Sequence, residues 1–199
     1  MTILEEALAL KPYMVELRNY FHSHPELAHN EFNTCKYIEE KLSEIALPFK
    51  RVAGTNVIAE LDSGVPGKTL LLRADIDALP IQEENNVPYK SQNPGIMHAC
   101  GHDGHTAYLL GTAKILSAHK KDLKGKVIFA FQAAEEIGSG AREIKSHYIS
   151  GAWSRLSFCW RTDCIPAADC SFKAHFTCRR RFNWNRKLSF WHDLQHNSI

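Results

Sequence analysis

His98-Ala-Cys-Gly-His-Asp-Gly-His105 decides how the rest of the 199-residue chain is read. These eight residues carry three histidines, a cysteine and an aspartate, with two glycines that permit a sharp backbone turn. Cys100 and His102 stand one residue apart. In an extended or turning segment such side chains point to the same side, so a thiolate and an imidazole can share one metal ion. Asp103 and His105 are further donors, or partners that orient a ligating imidazole. A lone Cys-x-His would read as a buried cysteine and some loop histidines before a helix. The density of donors here favours a metal site.

Upstream, Thr69-Leu-Leu-Leu-Arg73 has the character of a buried strand and ends in Ala74-Asp-Ile-Asp-Ala-Leu-Pro80. Asp75 and Asp77 thus stand just past a strand's C-terminal end, where open α/β sheets put their chemistry. A solvated loop with a helix-capping Asp is the plainer alternative. Asn56-Val-Ile-Ala-Glu-Leu61 is another strand, and the Gly- and Pro-rich Asp62-Ser-Gly-Val-Pro-Gly-Lys68 reads as a hairpin-like connection between the two.

Downstream, Lys126-Val-Ile-Phe-Ala-Phe131 is a third apolar strand that runs into Gln132-Ala-Ala-Glu-Glu136. Adjacent carboxylates at a strand end repel each other unless a cation or proton intervenes. A cation would make one a ligand and leave the other as base. Two exposed acids opening a helix are the alternative, and a short helix is expected over residues 141–146. Tyr108, Leu109, Ala113, Ile115 and Leu116 predict a helix from about His105 to His119, with the metal-type donors at its N-terminus, where backbone N–H groups favour a thiolate. Residues 82–97 form a long polar loop of the kind that is often functional.

Towards the N-terminus, residues 3–22 predict an amphipathic helix that Pro12 divides, the better part starting near Lys11. Residues 30–45 predict another, capped by Asn30, with Phe32, Cys35, Tyr37, Ile38, Leu42 and Ile45 on its apolar face. His22 and His24, beside Pro25, read as solvated loop histidines rather than ligands. The order α-α-β-β-loop-α-β-α implies an α/β layered domain with its active-site loops along one sheet edge.

Bulk properties narrow the classes. Net charge is +2, no apolar run is long enough to span a bilayer, and nothing calls for nucleic acid. The first residues lack the pattern of a signal peptide, and Cys35 and Cys100 do not look like a disulfide framework, so a reduced, cytoplasmic protein is expected. Residues 1–150 carry 16 basic and 19 acidic side chains, whereas residues 151–199 carry 8 and 3 and hold all four Trp. That shift divides the chain into residues 1–150 and 151–199.

Asp75-Ile-Asp77-Ala-Leu-Pro, His98-Ala-Cys-Gly-His-Asp-Gly-His105 and Phe131-Gln-Ala-Ala-Glu-Glu136, in this order and spacing, resemble the metal-dependent amidohydrolases. That group includes hippurate hydrolases, N-acyl-amino-acid aminoacylases and plant auxin-conjugate hydrolases, relatives of the di-zinc carboxypeptidases. His22-Ser-His-Pro-Glu-Leu27 matches the same pattern, and the resemblance runs from about residue 5 to 150.

The resemblance implies a partial di-zinc aminopeptidase-like catalytic domain, a mixed β-sheet flanked by helices, without the second lid or dimerisation domain. It implies Cys100, His102 and Glu136 as metal ligands, with His102 between two ions, and Glu135 as general base. Asp75, Asp77, Asp103 and His105 would stand behind the ligands. Two divalent ions, zinc or manganese, would serve the site. The implied reaction is hydrolysis of N-acyl amino acids to a carboxylic acid and a free amino acid by metal-activated water. The implied partner is that small molecule, without nucleic acid or membrane. Full-length relatives can dimerise, but this chain is not expected to do so through the missing domain.

Where the family continues with a Gly-x-His motif, this chain reads Arg155-Leu-Ser-Phe-Cys-Trp-Arg161. Residues 151–199 are therefore expected to be an aberrant, frame-shifted or disordered tail without regular elements, and their cysteines, which lack a Cys-x-x-Cys pair, are not expected to bind zinc. The alternative function is a metal-binding remnant of the family without turnover.

Overall fold

The structure is a computed structural model that describes residues 2–148 and the backbone of two further strands, residues 156–160 and 163–166. These residues fall in one compact unit, Met1–Ala167. The first helices, α1 (Ile3–Ala9) and α2 (Lys11–Ser23), meet at Leu10. Thr2 and Glu5 close a capping box on α1. Pro12 falls in the first turn of α2, where an absent N–H breaks no helical bond, so the amphipathic run divides just before Lys11.

Helix α3 (Phe32–Glu44) buries Cys35, Ile38 and Leu42, spaced three and four apart. Two details differ from the sequence reading. Asn30 does not cap the helix. The Glu26 carboxylate does so from a neighbouring loop, accepting the N–H groups of Asn33 and Thr34 at 3.2 and 2.8 Å. Phe32, the first helical residue, lies off the buried stripe and is exposed.

Strand β1 (Phe49–Val52) has no counterpart in the sequence pattern, because three of its four residues are exposed and it carries no apolar alternation. There follow β2 (Asn56–Asp62), β3 (Thr69–Asp75), α4 (His102–Ala118), a 3-10 turn at Lys120–Asp122, β4 (Lys126–Gln132), α5 (Gly140–His147), β5 (Leu156–Trp160) and β6 (Asp163–Pro166). The mixed sheet has the order β1-β2-β4-β3-β5-β6.

The β2–β3 connection is not a hairpin, because β4 lies between them, antiparallel to β2 and parallel to β3. β4 is buried at every position after Lys126, and only a central place in the sheet covers such a strand. The connecting segment runs against the start of β4 instead, with Ser63 N–H on the Gly125 carbonyl at 3.1 Å and Gly125 N–H on the Val65 carbonyl at 2.8 Å.

Alternate residues of the strands face opposite layers. Val57, Ala59, Leu61, Phe129 and Phe131 pack with Leu17, Phe21, Ile38, Leu42 and Leu110 from α2, α3 and α4. Ile58, Leu71, Ile128 and Ala130 pack with Ile144 of α5 on the other face. Fully buried Phe129 and Phe131 each contribute about 2–3 kcal/mol of transfer energy, so β4 anchors the larger core.

Beyond residue 150, where no regular element is expected, β5 pairs parallel with β3 and β6 antiparallel with β5. The overlooked signal is the two-residue period of Leu156, Phe158 and Trp160. The rest of the expected aberrant tail lies outside the described residues. Among the described residues, no helix is long and apolar enough to cross a membrane.

The topology sets the site. β3 and β4 are parallel with Asp75 opposite Gln132, so both acidic segments leave the sheet at one edge. A parallel pair needs a crossover, here α4, and a helix returning the chain from that edge must begin there. The His-rich stretch at the start of α4 is thereby delivered to the two acidic strand ends.

Candidate metal centre

Three segments converge at that edge. Cys100 Sγ, a ring nitrogen of His102 and a carboxylate oxygen of Glu136 lie within 4.8 Å of one another. Gly101, between the first two, is the N-cap of α4 and has φ +83°, a left-handed conformation that suits glycine. That turn, rather than an extended segment, brings the Cys100 thiol beside the imidazole. A second group, Asp75, His102 and His105, meets the same 4.8 Å limit.

His102 is common to both groups, and its hydrogen bond decides what it can do. Nδ1 lies 2.9 Å from the main-chain carbonyl of Asp77. A carbonyl only accepts, so Nδ1 keeps its proton and, once Nε2 gives up its own, the single lone pair is on Nε2. Nε2 faces the carboxylates of Glu135 and Glu136, each at 3.9 Å. One lone pair ligates one ion, so His102, although common to both groups, can bond only one of two metals.

The charge balance favours a cation. Asp75, Asp77, Glu135 and Glu136 crowd this edge, and Arg73 answers Asp75 with a short hydrogen bond. Glu136 Oε1 is buried without a hydrogen-bond partner, while Asp77 Oδ1 lies 3.3 Å from His102 Nδ1. A buried oxygen without a partner is costly unless something satisfies it, and a divalent ion among Cys, His and Glu would do so for Glu136. Burial opposes charge on His102, yet the Asp77 hydrogen bond and the Asp75 charge outweigh it and raise its pKa to about 9. Partial desolvation, then Glu136, Glu135 and Asp75, push the Cys100 thiol up to about 11, although the residue as a whole is exposed. Without a cation the helix N-terminus does not produce the thiolate expected from the sequence. Burial, then Asp75, hold Glu135 above the usual carboxylate range.

The four remaining sequence candidates separate. Asp77 Oδ2 accepts the Glu136 N–H at 2.9 Å, so Asp77 braces both His102 and the Glu136 backbone. Asp75 and His105 stand 4.0 Å apart among the donors themselves rather than behind them. Asp103 is the exception. One residue on from His102 it points about 100° round the helix, away from the donors. Its Oδ2 accepts from Arg18 Nε–H at 2.9 Å and His22 Nδ1–H at 2.8 Å, so it orients no donor.

His22 is buried, contrary to the reading as a solvated loop residue. Its Nε2–H reaches Glu83 Oε1 at 3.1 Å, and Glu83 also accepts the Ser91 N–H at 2.6 Å, which organises the long loop from within. With both ring nitrogens on carboxylates, His22 is an imidazolium, and its charge with that of Arg18 offsets Asp103 and Glu83. Arg18 and His22, four apart on α2, were the available signal. His24 instead meets the Tyr20 carbonyl through Nδ1 at 2.8 Å. His98 is buried, and burial lowers its pKa to about 4, so it stays neutral and outside both donor groups.

The sequence profile of peptidase family M20/M25/M40 matches residues 71–177, more than half of the chain. The chain belongs to this family. An N-acyl-L-amino acid amidohydrolase of Geobacillus stearothermophilus is 47% identical over 135 residues, 67% of this chain and 36% of that protein. An N-acetylcysteine deacetylase of Bacillus subtilis is 47% identical over 133 residues, 66% of this chain and 35% of that protein. A solved Bacillus subtilis structure, described as a dinuclear metal binding peptidase from the M20 family, is 43% identical with a TM-score of 0.69, covering 75% of this chain and 41% of that one. The chain thus spans about a third of the length of the curated M20 relatives it matches.

Proposed function

We propose that this edge is the catalytic metal centre of an amide hydrolase that acts on N-acyl amino acids. The observation that carries the reading is Glu136 Oε1, buried without a hydrogen-bond partner while its carboxylate stands within 4.8 Å of donors from two other segments. The names of the amidohydrolase and deacetylase relatives support the substrate class. Cys100, His102 and Glu136 would hold a divalent ion, and a thiolate in the set favours zinc over manganese. Asp75 and His105 would supply donors for a second ion, in line with the dinuclear description of the Bacillus subtilis structure.

A bound divalent ion supplies a lowered water pKa and polarisation of an amide carbonyl. The chain's own residues do the rest. Glu135, adjacent to Glu136 and held above the usual carboxylate range, takes a proton from the attacking water at a carboxylate oxygen and returns it to the departing amine nitrogen. Asp77 fixes the His102 ring through its carbonyl and the Glu136 backbone through its carboxylate. The exposed thiol of Cys100 suits a reducing, cytoplasmic setting.

The test is release of free amino acid from hippurate and N-acetyl amino acids, compared with Glu135→Gln. Loss of a general base is expected to lower turnover by about 10²–10⁴-fold. Unchanged turnover in Glu135→Gln would overturn the assignment. Metal binding without any turnover would favour the non-catalytic remnant, a reading supported by the donor count among the described residues, three for one ion and, with His102 committed there, two for the other.

A further inference from the structure

We propose that Glu31, assisted by Asn56, is a positioning residue for the Glu135–Glu136 pair, acting by holding the backbone of residues 133–134 from beneath. The inference rests on the metal-centre reading above and concerns residues that neither the motifs nor the donor groups include.

Glu31 is fully buried at the entrance to α3. Its Oε1 accepts the Ala134 N–H at 2.9 Å, and its Oε2 accepts the Thr55 hydroxyl at 2.6 Å. Asn56, at the start of β2, places Oδ1 on the Ala133 N–H at 3.0 Å. With Asp77 on the Glu136 N–H, side chains from three separate segments hold the backbone that follows β4.

The held backbone is itself unusual. Ala134, immediately before Glu135, has φ +52°, the left-handed region that residues with a Cβ rarely adopt. Such a conformation persists only where its surroundings over-determine it. Here they do so from both sides. Glu31 takes the N–H of Ala134, and Ser139 N–H returns to the Ala134 carbonyl at 3.2 Å. The turn directs successive side chains so that the Glu136 carboxylate reaches Cys100 and His102. A free Ala134 could relax to negative φ and swing both glutamates off the donor edge. Partners of this kind typically alter metal affinity by about 10–100-fold when removed.

The experiment measures zinc affinity by competition with a chromophoric chelator, beside a thermal melt, for the whole chain and four variants. Glu31→Ala is expected to weaken zinc at least about tenfold. Glu31→Gln is expected to stay within about threefold of wild type, because its amide oxygen still accepts the Ala134 N–H. Leu42→Ala, a core truncation on the same helix, is expected to lower the melting temperature without changing affinity. Cys100→Ser tests the metal centre itself. Should Glu31→Ala not fold, Asn56→Ala takes its place with the same expected loss. Wild-type affinity in folded Glu31→Ala or Asn56→Ala, or equal losses in Leu42→Ala, would overturn the positioning role alone. A wild-type affinity indifferent to Cys100→Ser would remove the metal centre and the inference together.

Discussion

Asp77 holds His102 through its own main-chain carbonyl, 2.9 Å from Nδ1, while its carboxylate lies 3.3 Å from the same nitrogen. One residue thus fixes the tautomer of the central imidazole and adds a negative charge beside it. In the metal-free protein His102 has a pKa of about 9, where burial is outweighed by Asp77 and Asp75. A folded pKa above the unfolded value of about 6.5 stabilises fully below pH 6.5 and is lost as pH rises towards 9. The metal-free chain is therefore expected to lose stability across that window, by roughly 3 kcal/mol as an upper figure. Asp77→Asn is expected to lower the His102 pKa, read from the imidazole resonances in an NMR titration. An unchanged pKa would show that the Asp77 carboxylate does not set the charge of the ring.

His22, between Asp103 and Glu83, gives a pH dependence of its own. Burial opposes its charge, but hydrogen bonds to both carboxylates raise its pKa. Asp103 and Glu83 are held low, against burial, by bonds to His22 and, for Glu83, first by Ser91. The carboxylate contribution is present above about pH 4 and lost on acidification, while the His22 contribution is present below about pH 6.5 and lost as pH rises through its raised value. His22→Ala leaves two buried carboxylates short of a partner and is expected to cost about 3–5 kcal/mol in urea unfolding. A loss below about 1 kcal/mol would mean that the network is solvated.

Gly140 opens α5 against the turn that carries the glutamates. A Cβ there would lie 1.7 Å from the Ala133 carbonyl oxygen, closer than any side chain can approach backbone. Gly140→Ala is expected to cost about 1–3 kcal/mol in denaturant unfolding and to weaken zinc binding as the turn shifts. Wild-type stability would show that the helix start can move away freely.

Much of the fold could be read locally. β4 is a continuous apolar run, α2 begins where Pro12 allows, and the donors of Cys100, His102 and Glu136 stand in dense motifs. The order of strands could not. The Gly- and Pro-rich segment after β2 looks like a hairpin turn, but whether another strand inserts depends on burial of Lys126–Gln132, far along the chain, which no turn composition records. The burial of His22 was hidden for the same reason, since its partners lie 61 and 81 residues away. Glu31 reads as a helix-opening acid, and only the fold brings it beneath Ala134.

The central claim is that Cys100, His102 and Glu136 bind one ion together. Cobalt(II) titration tests it most directly, because a thiolate ligand gives a near-ultraviolet charge-transfer band that carboxylates and imidazoles do not. The expected result is a band that saturates with bound cobalt, survives Cys35→Ser, disappears in Cys100→Ser, and requires a higher metal concentration, by about 10-fold or more, in Glu136→Ala. A band of full intensity in Cys100→Ser, or cobalt affinity unchanged by Glu136→Ala, would contradict the account.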